Sequence, residues 1–199
     1  MLVLASASPR RQELLRNACI PFIVQPANID ETPQPGERPR EYAERLAREK
    51  ALTVWRQRTY DTVLGADTIV VVDQMILGKP TDTADAVRML RMLSGRTHQV
   101  ITGICLVHPD NAHPDKLRSE DPQVSVASET TLVVMNELSD REIQEYVETG
   151  EPMDKAGAYA IQGMASRWIP RIEGDYSNVV GLPVALVYRL LREEVRYER

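Results

Sequence analysis

The first segment suited to chemistry is residues 6–11, SASPRR, which offers two serine hydroxyls and the guanidinium groups of Arg10 and Arg11. Ser8 followed by Pro9 is typical of a helix start. A helix N-terminus presents unpaired N–H groups and the positive end of a dipole, so the segment predicts an anion site. It matches neither a Walker loop nor GxGxxG, and a capped surface helix with two solvated arginines is the alternative.

The second segment is GADT at residues 65–68, where Asp67 and Thr68 interrupt two apolar runs, VLGA and IVVV. A carboxylate buried among strand residues is costly unless it is paired, hydrogen-bonded or bound to a metal. Asp67 is therefore a candidate metal ligand or general base. The alternative is a structural aspartate that caps backbone amides at a strand bend.

Four further polar residues are candidates with simpler alternatives. Glu31 lies in the proline-rich loop IDETPQP, Lys50 lies on a helix, and Lys79 lies in LGKP after a strand. On the local pattern alone, a solvated surface side chain is the favoured explanation of each of these three. Gln162 ends the small-residue stretch DKAGAYAIQ, and its amide offers the donor and acceptor needed to read a base edge. A tightly packed turn is the alternative there.

The composition predicts a soluble, cytoplasmic, single-domain protein over residues 1–199. The chain is 43% hydrophobic, and no apolar run approaches the roughly 20 residues that a membrane helix needs. A net charge of −5 argues against nucleic acid as a partner. Cys19 and Cys105 each lie in an apolar run, so both are predicted to be buried. His98 has no partner spaced for metal binding and is predicted to be a core or sheet-edge histidine.

Strands and helices alternate along the chain, which predicts a mixed α/β fold. The expected strands are 1–5, 21–25, 62–72, 75–77, 98–107, 123–135 and 168–172. The expected helices begin at Pro9, at Pro39, at Thr81 with Thr81 or Thr83 as the cap, at Ser139 with Glu142 in a capping box, and at Pro183. The helix from Pro39 should bury a face made of Ala43, Ala47, Ala51 and Trp55. Asp73 and Gln74 suggest a hairpin turn, and the polar stretch 108–122 suggests an exposed loop or insertion.

Eight stretches together resemble the Maf family of nucleotide pyrophosphatases, also called septum formation inhibitor proteins. In chain order they are ASASPRRQELL, DET, RLAREKA, GADTIV, LGKP, SGRTHQV, DKAGAYAIQG and VVGLP. The resemblance implies an elongated mixed sheet flanked by helices in two lobes around a central cleft, like that of inosine triphosphate pyrophosphatases. It also implies that a nucleoside triphosphate is hydrolysed to the monophosphate and pyrophosphate with Mg²⁺ or Mn²⁺. A homodimer is the common family expectation.

The resemblance also assigns roles to residues. Asp67 would be the proton acceptor and, with Glu31, would hold the divalent metal. The residues that would bind the nucleotide are Ser8, Arg10, Arg11, Lys50, Thr68, Lys79 and Gln162.

Three positions resemble the subfamily that acts on dTTP and UTP: PRR at 9–11, ADT at 66–68 and Gln162. The 7-methyl-GTP type tends to have tryptophan for the first arginine and SDQ in the acidic motif. Two alternatives stay open. One is a pyrophosphatase for 7-methyl-GTP or another noncanonical nucleotide, and the other is a nucleotide-binding regulator of septum formation that acts through a protein partner.

Overall fold

The computed structural model describes residues 1–109 and 122–197, so most of the polar stretch predicted at 108–122 lies outside the described residues. The strands are β1 (Leu2–Leu4), β2 (Ile23–Val24), β3 (Thr62–Val72), β4 (Met75–Leu77), β5 (Thr97–His108), β6 (Gln123–Val134) and β7 (Arg171–Glu173). The α-helices are α1 (Pro9–Asn17), α2 (Pro39–Trp55), α3 (Thr83–Leu93), α4 (Asp140–Glu148), α5 (Tyr176–Val180) and α6 (Val184–Tyr197). Short 3₁₀ helices lie at Glu151–Asp154, Ala156–Ala158 and Met164–Trp168.

The strands of the described residues form one mixed sheet in the order β2-β1-β3-β5-β6-β7, and β4 pairs with β3. Strand β1 is parallel to both β2 and β3. The pairs β3–β4 and β6–β7 are antiparallel. The predicted mixed α/β class with helices and a mixed sheet is therefore confirmed. None of the helices in the described part of the chain is both long and apolar enough to cross a membrane.

The chain forms two compact units, each built from segments that are distant in sequence. The first unit contains Met1–Asp67, Thr102–Glu129 and Gly181–Arg199. Strand β1 and residues 63–67 of β3 are buried on both faces, to which successive side chains point in turn. Leu4 and Leu64 pack in one apolar cluster with residues of α1 and α6, whereas Val3 and Val63 pack in another with residues of α2.

Helix α2 approaches the strands of this first unit very closely. A Cβ atom on Gly65 of β3 would lie 2.1 Å from the Ala47 carbonyl oxygen, and one on Gly103 of β5 would lie 2.4 Å from that of Ala43. Backbone therefore meets backbone where glycine faces alanine. The predicted buried alanine face of α2 is confirmed, and this packing fixes the helix that carries Lys50.

The second unit contains Thr68–Ile101 and Thr130–Val180. Its core is apolar and is built around α3 and α4, with Leu90, Leu93 and Tyr146 fully buried. The predicted capping box of Ser139 and Glu142 begins α4. Asp73 and Gln74 both have positive φ angles, 49° and 64°, and form the predicted turn between β3 and β4.

Several local expectations were wrong. Helix α3 is capped by Asp82, whose carboxylate accepts from Asp85 N, and not by either threonine. Trp168 ends a 3₁₀ helix and β7 begins only at Arg171. Cys19 is exposed at a positive φ of 54°, because it lies in the turn that ends α1. Cys105 is buried as expected, and helix α5 had no counterpart among the sequence predictions.

Candidate active site

Two serine hydroxyls accept backbone hydrogen bonds in the loop between β1 and α1. Ser8 is the N-cap of α1, and Pro9 occupies its first position, as the sequence predicts. The Ser8 hydroxyl accepts a long hydrogen bond from Arg11 N at 3.5 Å, and the Ser6 hydroxyl accepts from Ser8 N at 3.2 Å. The helix N-terminus is therefore held in a defined conformation at the carboxyl end of β1. Arg10 follows at a partly exposed position.

The guanidinium of Arg11 is buried and braces the same loop. Its Nε donates to the Gly181 carbonyl oxygen at 2.8 Å, and its Nη1 donates to the Ala66 carbonyl oxygen at 2.8 Å and to the Ser6 hydroxyl at 3.1 Å. These bonds tie α1 to β3 and to the chain segment that precedes α6. Burial lowers the pKa of Arg11, and the negative charges of Asp67 and Glu31 oppose that shift.

Lys50 lies between the two carboxylates that the family resemblance implies as metal ligands. Its Nζ lies 2.6 Å from Asp67 Oδ1 and 2.7 Å from Glu31 Oε1. Both Lys50 and Asp67 are 8% exposed, whereas the Glu31 side chain is half exposed. Two carboxylates from distant segments therefore converge on one position, and a cationic nitrogen occupies it.

Burial raises the pKa of the Asp67 carboxyl, and the positive charges of Lys50 and Arg11 partly oppose this rise. The Lys50 ammonium also stabilises the ionised carboxylate by donating a hydrogen bond to it. A carboxylate in this environment is more basic than a solvated one. It can act on a proton as well as on a cation.

The loop that carries Glu31 is fastened to α2 by two residues that the sequence analysis did not single out as site residues. Tyr42 donates its hydroxyl to the Glu31 carbonyl oxygen at 2.6 Å, and burial raises the pKa of Tyr42 to about 12. Arg45 forms two hydrogen bonds to Glu37, at 2.6 Å and 2.8 Å, and donates to the Thr32 carbonyl oxygen at 3.1 Å. A tyrosine on a buried helix face needs a hydrogen-bond partner for its hydroxyl, and this requirement could have identified Tyr42 from the sequence.

The structure brings Ser8, Arg11, Glu31, Lys50 and Asp67 together in the first unit. Arg10 also belongs to the first unit, and three predicted residues belong to the second: Thr68 on β3, Lys79 after β4, and Gln162 in a turn before the last 3₁₀ helix. Lys79 and Gln162 are exposed. Among the described residues, no group of three or more His, Cys, Asp or Glu side chains could hold a metal.

His98 lies in the core of the second unit and is 2% exposed, which confirms the expectation of a core histidine. Its Nε2 lies 2.8 Å from the Tyr159 hydroxyl, and the two rings pack edge to face. Burial lowers the pKa of His98 to about 4, so the ring is neutral at physiological pH.

The chain belongs to the Maf family, since residues 1–194 match the family model of Maf-like proteins. A relative from Koribacter versatilis is 56% identical over 96% of this chain and 93% of its own, and is named dTTP/UTP pyrophosphatase. Relatives with the same name from Symbiobacterium thermophilum and Thermococcus gammatolerans are 52% and 47% identical, each over 96% of this chain and over 93% and 95% of their own.

A comparison of folds gives a weaker likeness, to the Ham1 protein of Staphylococcus aureus. It covers 67% of this chain and 71% of that one, with 15% identity and a TM-score of 0.42.

Proposed function

We propose that this chain hydrolyses dTTP and UTP to the monophosphate and pyrophosphate. The observation that carries the proposal is the convergence of Asp67 and Glu31 on Lys50, in the same unit as Arg11 and the N-terminus of α1. Such a group combines carboxylates for a proton or a cation with positive charges for a polyphosphate. The relatives named dTTP/UTP pyrophosphatase, at 47% to 56% identity, support the substrate class.

The phosphates would be bound by backbone and side-chain donors. The residues proposed for this role are Ser8, Arg10, Arg11, Lys50, Thr68 and Lys79. Guanidinium groups suit phosphate oxygens because their donors are planar and fixed, and the end of α1 adds a favourable dipole. Two nitrogens of Arg11 already donate hydrogen bonds to backbone carbonyl oxygens of the protein. Its proposed contribution to phosphate binding is therefore mainly its buried positive charge.

A divalent cation fits the carboxylate pair. Oxygens of Glu31 and Asp67 lie within 2.7 Å of a single nitrogen, so they already face one cation position. Mg²⁺ commonly takes one or two carboxylates and completes its shell with waters and substrate phosphates, and Mn²⁺ also prefers such oxygen ligands. When bound, the metal would lower the pKa of a water and offset phosphate charge. Glu31 and Asp67 are the residues proposed to hold it.

Asp67 is the proposed general base. Its carboxylate would accept a proton as the water oxygen bonds to the α-phosphorus and the bond from that phosphorus to the bridging oxygen breaks. Pyrophosphate would leave with the electron pair of that bond, and the nearby lysine and arginine charges would stabilise it. Because burial raises the pKa of Asp67, the base is better matched to neutral pH than an exposed aspartate.

Gln162 is proposed to select the base. Its side-chain amide can donate to a pyrimidine carbonyl and accept from the ring N–H, which uracil and thymine present side by side. Cytosine presents a different pattern, so CTP should be the poorer substrate. A homodimer and a cytoplasmic location remain predictions, and light scattering after gel filtration tests the first.

The experiment is pyrophosphate release with Mg²⁺ from dTTP, UTP, CTP and 7-methyl-GTP. We expect dTTP and UTP to be the preferred substrates. Asp67→Asn should lower turnover by about 10²–10⁴-fold but should still show the thermal unfolding transition of a folded protein. Asp73→Asn is the matched control, because Asp73 is an exposed aspartate paired with Arg96 in the turn after β3. Preference for 7-methyl-GTP, tight binding without turnover, or normal turnover by Asp67→Asn would contradict the proposal.

A further inference from the structure

Two side chains of the second unit form hydrogen bonds to the backbone of the turn that carries Gln162. At one end, Ala160 N donates to the Tyr146 hydroxyl at 3.1 Å. At the other end, Met164 N donates to Glu151 Oε1 at 3.2 Å. The Tyr146 hydroxyl in turn donates to the same Glu151 oxygen at 2.7 Å. One continuous hydrogen-bond network therefore fixes both ends of residues 160–164.

The network and the turn are in close contact. A Cβ atom on Gly163 would lie 2.2 Å from Glu151 Oε1, so the carboxylate lies directly against the backbone next to Gln162. Tyr146 is fully buried and packs edge to face on Trp168, with ring centroids 5.3 Å apart. The supporting residues are hydrogen-bonded to one another, while the Gln162 side chain itself is exposed.

We propose that Glu151 is a positioning residue for base selection: by holding the turn through Met164 N and Tyr146, it places the Gln162 amide for the pyrimidine edge. The inference rests on the proposed function. An amide discriminates best between base edges when its donor and acceptor already face the matching groups of the base. A side chain on a mobile turn must instead be ordered in each binding event, which costs free energy. Glu151 itself touches the turn and not the substrate.

The test compares kcat/KM for dTTP with kcat/KM for CTP in Glu151→Ala, Gln162→Ala and the double variant. Glu151→Ala should lower the dTTP-to-CTP ratio by about tenfold, the equivalent of one hydrogen bond. The double variant should have the same dTTP-to-CTP ratio as Gln162→Ala alone, because Glu151 acts on the ratio only through the Gln162 amide. Glu151→Gln, which keeps an acceptor for Met164 N, should retain most of the ratio.

Glu148→Ala is the matched control, since Glu148 is an exposed acid at the end of α4. If Glu151→Ala does not fold, Tyr146→Phe keeps the ring on Trp168, removes only the bridging hydroxyl and should lower the ratio in the same way. A wild-type dTTP-to-CTP ratio in the folded variants, or an additive loss of that ratio in the double variant, would overturn the inference about Glu151. The proposed function would still stand in that case if the wild-type protein hydrolyses dTTP and UTP. A wild-type protein without that activity would overturn both.

Discussion

Replacing Gly65 with alanine tests how the two sides of the charged cluster are held in register. The added Cβ would lie 2.1 Å from the Ala47 carbonyl oxygen, 2.8 Å from Ala51 N and 2.9 Å from Ala51 Cβ. Ordinary contact begins near 3.4 Å, so helix α2 and strand β3 must separate by more than about 1 Å. All three obstructing atoms belong to α2, and two of them are backbone, so no side chain can rotate away.

The separation acts directly on the site, because the two partners of its shortest ion pair lie on the two elements that must separate. Lys50 is on α2, one residue before Ala51, and Asp67 is on β3, two residues after Gly65. Their 2.6 Å contact would lengthen with the helix displacement. Overpacking should cost about 1–3 kcal/mol of unfolding free energy, and a displacement of ~1 Å at the reacting groups should cost roughly 10² in turnover.

Both effects are measurable on one preparation. Urea denaturation followed by circular dichroism gives the stability, and pyrophosphate release from dTTP gives the turnover. Gly78→Ala is the matched control for stability, because its Cβ would meet no atom within 4 Å. If Gly65→Ala unfolds and turns over like the wild type, α2 does not depend on this glycine for its approach to β3, and the account of how the site is aligned would be refuted.

Two further predictions concern titration and cation binding. Between pH 6.5 and 4 the free energy of unfolding should fall by about 3 kcal/mol from His98 alone, because the unfolded imidazole gains a proton in that window while burial lowers the folded pKa to about 4. His98→Gln should make the unfolding free energy, measured by urea denaturation, depend less on pH in this range. A pH dependence as steep as that of the wild type would contradict the prediction. Lys50→Met should bind Mn²⁺ at least about fivefold more tightly without nucleotide in titration calorimetry, since a unit charge ~4 Å away contributes ~1 kcal/mol even in water. Weaker binding would mean that Lys50 organises the carboxylates instead of competing with the cation.

The local parts of this fold were predictable where one short-range effect decides the structure. Ser8 with Pro9, and Ser139 with Glu142, set helix starts through contacts within a single turn. The helix start at Asp82 was missed because three capping residues, Thr81, Asp82 and Thr83, follow one another and sequence alone does not rank them. The Asp82 carboxylate reaches Asp85 N, while the Thr81 hydroxyl lies 3.5 Å from the Asp85 carboxylate instead.

Cys19 shows where an apolar neighbourhood is a poor guide. The run NACIPF suggests a buried thiol, but helix α1 ends just before it and the chain must turn. Cys19 N reaches back to the Arg16 carbonyl oxygen at 2.9 Å, and the resulting backbone conformation leaves the side chain exposed. The hydrophobicity of a window does not encode this change of direction.

The site was predictable as a set of residue types, and its contacts were not. Asp67 stood out because an acid between two apolar runs needs a partner, but nothing local identified Lys50, which is 17 residues away. The bond from Arg11 to the Gly181 carbonyl oxygen spans 170 residues, and a carbonyl oxygen carries no sequence signal at all. Such contacts follow from the order of strands in the sheet.

The burial of three charged groups in the first unit is better explained by function than by stability. Arg11, Lys50 and Asp67 are 9%, 8% and 8% exposed, in a unit whose other buried side chains are mainly apolar. Removing charges from water costs several kcal/mol for each ion, and their mutual attraction often recovers no more than that. Apolar residues of similar volume would serve the core at least as well. A cluster that gains little stability but keeps cations and carboxylates in contact is what the proposed site for a metal-bound polyphosphate would require.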